Sequence, residues 1–412
     1  MLRPISKVVA TAAIIATVAT ACGSSKKTSG TTTPPSATGA GKTLTVGVLT
    51  DASGPASSGE AHIEDGVKAA ISVAAQQGYT IKYVIGDSQT SPSGVLTAAK
   101  KLVEQDHVDV VLGASAVLFG AASYLSQQNV PVVGFALDGP EWLTAKNMFS
   151  NVGLLDTTKV TTTIAKFAKD LGATTMGSLG YSISPTSAEN AKAAGIAAEA
   201  VGLKSGYINP KFAFGSTDVQ PVALAMQKAG VDALYPVVDP NTTFALLTAL
   251  QNLGVKLKAA VIPIGYGSEL LDAGAAAQKA AEGAYFDLFF QPIELNTPAT
   301  QRFLAALKAT GGTQTPGLPV YTGYTSILLL LDGLKNVTGA LTKQSIIDGL
   351  AKVTSFDADG LVPKAFGPRD PANIAGPSNC AYFVKFSAGK FSIVAGEEPV
   401  CGTVIAGKTV SP

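Results

Sequence analysis

From Thr43 onward, short β-rich apolar runs alternate with stretches whose apolar residues recur three and four positions apart. Residues 44–49 read as a first strand, and the turn Asp51-Ala52-Ser53-Gly54-Pro55 leads into a helix carrying Ile63, Val67, Ala70, Ile71 and Ala74 on one stripe. Residues 81–85 read as a second strand. Ser91 and Pro92 then cap and open a helix bearing Val95, Ala99, Leu102 and Val103. Residues 108–112 and 130–135 complete four strands. After Asn151-Val152-Gly153 the alternation restarts, with helices over 159–171, 187–201, 217–228 and 242–253 interleaved with strands over 176–179, 205–208, 233–238 and 259–264. A strand over 284–290 runs into Gln291-Pro292, and helices over 298–308, 321–334 and 342–350 follow with no strand between them.

Such alternation predicts parallel sheets covered by helices on both faces. Two blocks of similar size predict two Rossmann-like lobes, an α/β fold: residues 43–157 with 292–354 in lobe I, and 158–291 with 355–412 in lobe II. The chain then crosses between lobes three times, which predicts a hinge.

The first 42 residues follow a different rule. Arg3 and Lys7 precede thirteen apolar or small residues, Val8 to Thr20, too few to span a bilayer, and small residues lead up to Cys22. This reads as an export signal over 1–21. The run Ala19-Thr20-Ala21-Cys22 resembles a bacterial lipobox, whose cysteine is freed at its amino end and acylated, although Ala19 stands where Leu, Val or Ile is usual. The alternative is an ordinary secreted protein with Cys22 at the cleavage site by chance. Residues 23–42 are Gly, Ser, Thr, Pro, Ala and Lys, so they bury too little to offset their ordering entropy. A flexible tether over 22–42 is expected, holding the folded part about 25 Å from its anchor. The rest is expected to work outside the cytoplasm, at the outer face of the membrane.

Charge narrows the partners. With 30 basic and 29 acidic residues the net charge is +1, which argues against nucleic acid. After the export signal no apolar run is long enough to span a membrane; Ile327 to Leu331 ends at Asp332 and reads as buried helix. Cys380 and Cys401, exported together, most simply make a disulfide; a metal site or two free thiols are the alternatives, but His62 and His107 are the only histidines. Neither G-x-G-x-x-G nor G-x-S-x-G occurs, which argues against an enzyme, and no cofactor is expected.

Several motifs, in order and spacing, resemble the type I periplasmic binding proteins of the leucine/isoleucine/valine branch, the solute receptors of ABC importers. They are Ser53-Gly54-Pro55 after the first strand, Asp87 with Pro92 and then Ala98, Ala99, Leu102 and Val103, Val111-Leu112-Gly113, Val132-Val133 with Pro140-Glu141, Thr217-Asp218 before Gly230-Val231-Asp232, and Leu253-Gly254-Val255. The resemblance spans roughly residues 43–350. It implies a monomer that binds a small-molecule solute and serves a membrane permease. A sensor presenting its closed form to a signalling partner is the alternative.

Ligands of open parallel sheets bind beyond the carboxyl ends of the strands. The candidate loops are 51–59, 113–119 and 136–140 on the first lobe and 181–185, 239–242 and 265–268 on the second, with Ser53, Ser115, Val117, Ala136, Asp138, Tyr181, Asp239 and Tyr266 as candidate ligand contacts. Each has a structural alternative: Ser53 and Ser115 as caps, Val117 as core, Asp138 and Asp239 as turn residues, the tyrosines as packing. His62 is a further candidate from the first helix, and Trp142 one more at the cleft mouth. The resemblance implies Ser and Thr hydroxyls on the ligand's carboxylate and an acid on its ammonium. Here Ala114-Ser115-Ala116-Val117 and Asp138 stand where hydroxyls are usual, and Gly265-Tyr266 stands near the acid's place. Weak binding of leucine, isoleucine and valine is therefore expected, with a less polar, neutral or cationic solute preferred.

Overall fold

The computed structural model describes residues 42–136, 138–370, 379–394, 396 and 398–412. The residues read as an export signal and all but the last residue of the expected tether, Cys22 included, lie outside the described residues. In chain order the first block is β1 (Lys42–Thr50), α1 (Ile63–Gln76), β2 (Tyr79–Asp87), α2 (Pro92–Glu104), β3 (Val110–Ala114), α3 (Phe119–Gln127), β4 (Val132–Gly134), α4 (Glu141–Thr144) and β5 (Met148–Ser150). Its strands form one parallel sheet in the order β2-β1-β3-β4-β5. Strand β3 is buried along its whole length, as a sheet covered on both faces requires.

The second block is β6 (Lys159–Thr161), α5 (Thr163–Asp170), β7 (Thr175–Tyr181), α6 (Pro185–Ala200), β8 (Lys204–Phe212), α7 (Gln220–Lys228), β9 (Ala233–Val237), α8 (Pro240–Asn252), β10 (Ala259–Ile262), α9 (Ser268–Asp272), α10 (Gly274–Ala280) and β11 (Tyr285–Leu288). Then come α11 (Pro298–Ala309), α12 (Leu318–Lys335), α13 (Lys343–Ala351), β12 (Cys380–Ser387), β13 (Lys390–Ile393), β14 (Val400–Cys401) and β15 (Val404–Thr409). The second sheet runs β13-β12-β11-β10-β9-β7-β8, parallel from β8 to β11 and antiparallel where β12 and β13 join its edge. Strand β14 pairs with β12, placing Cys380 opposite Cys401, and the two are disulfide-bonded with S–S 2.06 Å.

Helices α11 to α13 return to the first sheet, with α12 against α1, β3 and β4. Helix α12 is buried on nearly every side, so its apolar run Ile327 to Leu331 is core. It approaches α1 closely because both carry glycine at the crossing: a Cβ on Gly66 would lie 2.0 Å from the Val320 carbonyl, and one on Gly323 2.6 Å from that of Ile63. Among the described residues no helix is long and apolar enough to cross a membrane.

Three features differ from the expectations. The helix expected over 159–171 is split: β6 takes Lys159–Thr161 as an antiparallel partner of β15, and α5 begins only at Thr163. Its partner lies more than two hundred residues away, so periodicity within the segment gives no sign of it. Strands expected to reach residues 264 and 290 stop at Ile262 and Leu288. Pro263 has no N–H for the ladder, which frees the following residues to leave the sheet. Finally, α3, α4 and the three-residue β5 complete the first sheet where only a loop was read.

Candidate functional site

The carboxyl ends of the parallel strands in both lobes face one cavity of about 120 Å³. The first lobe supplies Asp51, Glu60, Ser115 and Ala136, and the second supplies Tyr181, Thr186, Asp239 and Ile264. Most of the wall is apolar, with Phe135, Phe214 and Phe289 among its rings. Phe135 and Phe289 meet edge to face at 5.5 Å between centroids, and Phe214 sets its edge against Tyr181 at 4.7 Å.

Asp51 follows directly on β1 and is fully buried. Its carboxylate accepts the Ser115 hydroxyl at 2.6 Å, the Ala116 N–H at 2.9 Å and the Ser88 hydroxyl. Burial raises its pKa, against the pull of those donors. The hydroxyl of Ser115 is thus spent within the chain. Glu60, one turn before α1, also lines the cavity, and its carboxyl is pushed well above the usual range by burial first and then by the charges of Asp51 and Glu269. Its Oε2 is buried without a hydrogen bond; the Thr50 hydroxyl beside it stays outside bonding geometry.

On the other lobe Asp239 caps α8, accepting the Thr242 N–H at 3.1 Å and the Thr242 hydroxyl at 2.7 Å. The Tyr181 hydroxyl donates to the same carboxylate. Burial, then the charge of Asp239, drives the Tyr181 pKa upward, so the phenol stays neutral. Ser184 caps α6 by accepting the Ser187 N–H at 3.3 Å, while the Thr186 hydroxyl, on the cavity wall, is buried without a partner.

Of the eight candidate contacts, the structure gathers Ser115, Ala136, Tyr181 and Asp239 around the cavity. The other four lie elsewhere. Ser53 is exposed and donates to Asp87 at 2.6 Å. Val117 is fully buried in the first lobe's core. Asp138 is buried, accepting the Phe119 N–H at 2.6 Å and the Trp142 indole N–H at 2.9 Å, so it faces no ligand carboxylate and Trp142 is its structural partner. Tyr266 packs on Phe391 and donates to Glu294 at 2.6 Å. His62 stays outside the cavity wall, 2.7 Å from Asp272 at the end of α9.

Asp51, Glu60 and the phenylalanines were missed as contacts. Position held the signal for Asp51, a lone acid ending an apolar strand. Glu60 sits in a short polar loop and gave none. Near Gly265, where no acid was evident, the structure places Glu269, 4% exposed, its Oε2 accepting the Leu318 N–H that opens α12. Among the described residues no group of three or more His, Cys, Asp or Glu is arranged to hold a metal ion.

Two lobes of parallel sheet with a cavity at their strand ends define a type I solute-binding architecture. The family model for periplasmic binding proteins matches residues 43–390, and the chain belongs to that family. Among solved structures, it resembles the leucine binding protein LivK of Thermotoga maritima at 17% identity and TM-score 0.72, covering 85% of this chain and 98% of that one. An ABC transporter solute binding protein of Rhodopseudomonas palustris, in complex with benzoate, is 18% identical with TM-score 0.72, over 88% and 98%. LivJ of Streptococcus pneumoniae, in complex with isoleucine, is 19% identical with TM-score 0.69, over 90% and 100%. Comparison with curated proteins finds no match.

Proposed function

We propose that the chain is an extracytoplasmic receptor that captures a small solute between its lobes and delivers it to an ABC importer, tethered to the membrane through lipid on Cys22. The observation that carries this reading is the cavity of about 120 Å³ walled by both lobes at their strand ends. A solute there touches both walls only when the lobes are closed, so binding draws the hinge shut. The structural neighbours hold benzoate and isoleucine. The clamp that would hold an amino acid's carboxylate is not free here, because Ser115 and the Ala116 N–H are bonded to Asp51. The mostly apolar wall favours a solute with an apolar body.

Native mass spectrometry of protein purified without denaturation tests this reading, with X-ray scattering before and after the solute is removed. A co-purifying small molecule, and expansion on its loss, are expected. A chain that carries nothing and keeps one radius of gyration across a solute library refutes the receptor reading.

A further inference from the structure

We propose, building on the receptor reading, that the solute is a small organic cation with an apolar body, its charge met by Glu60 and Asp51 and its body by the phenylalanine walls. Three observations converge. The first is charge: the wall carries Asp51, Glu60 and Asp239 and, among the described residues, no Lys, Arg or His. The second concerns the helix amino termini, the usual backbone seats for an anion. The backbone N–H groups beside the cavity are already taken within the chain: Ala116 N–H by the Asp51 carboxylate, Thr242 N–H at α8 by the Asp239 carboxylate, and at α6 Ser187 N–H by the Ser184 hydroxyl and Thr186 N–H by the Asp138 carbonyl. An anionic group entering the cavity finds neither a cation nor an open seat. It also meets the like charge of Asp51.

The third is unspent acceptor capacity. Glu60 Oε2 is buried without a hydrogen bond, and the Thr186 hydroxyl, 3% exposed, is likewise unpartnered. Leaving such groups unpaired is costly, and an ammonium would satisfy them. Burial, and then the charges of Asp51 and Glu269, disfavour the ionisation of Glu60. A cation reverses that balance. Aromatic faces then add attraction to a positive group that they do not give an anion. Because these acids are not grouped as metal ligands are, the fit is to an organic ammonium.

Titration calorimetry of the dialysed protein with a matched series tests this. Isopentylamine is leucine without its carboxylate, isocaproate is leucine without its ammonium, and isopentanol is the neutral analogue. Isopentylamine should bind at least about tenfold tighter than isopentanol, leucine or isocaproate, as one hydrogen bond to a charged group supplies. Glu60→Gln should remove about that tenfold for the amine while leaving isopentanol within about twofold, which also shows that the variant is folded. Leucine or isocaproate binding as tightly as isopentylamine, or no loss in Glu60→Gln, overturns the proposal. If none of the four binds, the charge of the co-purifying solute decides: a cation supports the proposal, and an anion, zwitterion or neutral molecule overturns it. Absence of any bound solute overturns the receptor reading itself.

Discussion

Asp138 and Glu141 show how the surroundings of a carboxyl decide its work. Both are buried, 1% and 9% exposed, on the turn after β4. Asp138 spends its oxygens on Phe119 N–H and the Trp142 indole. The pKa of Glu141 is pushed up by burial first and then by the charge of Asp138, so it keeps its proton and shares it with its neighbour. A raised folded-state pKa means the native chain holds a proton that the unfolded chain gives up. The stability this proton supplies is complete below the ordinary carboxyl range and is lost as pH rises above it. Glu141→Gln, which keeps a donor toward Asp138, should match the parent near about pH 4 and be more stable by about 1–3 kcal/mol near about pH 8. Urea unfolding across that range checks this. Parallel pH profiles for the two proteins would show that Glu141 is ionised in the native state.

Elements fit together here through closeness more than through bulk. Helices α1 and α12 touch backbone to backbone at Gly66 and Gly323, and this contact fixes α12 on the first sheet. A single methyl at Gly66 has nowhere to go, because the atom it meets is the Val320 carbonyl, not a side chain free to swing away. Gly66→Ala should therefore cost about 1–3 kcal/mol by overpacking. Gly78→Ala serves as the control for added bulk: the new Cβ meets nothing within 4 Å, although φ +83 there brings some backbone strain of its own. Thermal melts of the two variants decide it; a smaller loss at Gly66 than at Gly78 would mean the helices can part freely.

At the scale of the whole molecule, the tether and the binding unit should behave independently. If Cys22 carries lipid, Cys22→Ala should move the protein from the membrane fraction to the medium while its melting temperature and solute affinity stay those of the parent. Fractionation followed by calorimetry on the released protein measures both. Equal retention of the variant on the membrane would sink the anchor.

Much of the fold was legible along the chain, because its rules are local. Period-two and period-3.6 patterns marked β1, α1, β7 and α8 near their observed bounds, and Ser91 and Pro92 open α2 as read. What the chain could not show was pairing at a distance. Strand β6 exists because β15 lies beside it, and β5 is only three residues long. The site divided the same way. Ser115, Ala136, Tyr181 and Asp239 follow from the rule that ligands gather at the carboxyl ends of parallel strands. Whether a polar group there is free or spent is a three-dimensional fact. Ser115 read as a candidate ligand hydroxyl and is held by Asp51; Asp138 read as a barrier to carboxylates and is a buried cap for α3. Glu60 read as nothing and is the wall's unpaired acid. Sequence determined which groups reach the strand ends, since strand length and turn chemistry are local. Only the tertiary structure decided which of them remain unpartnered, because hydrogen bonds are filled by whatever the rest of the fold brings within reach.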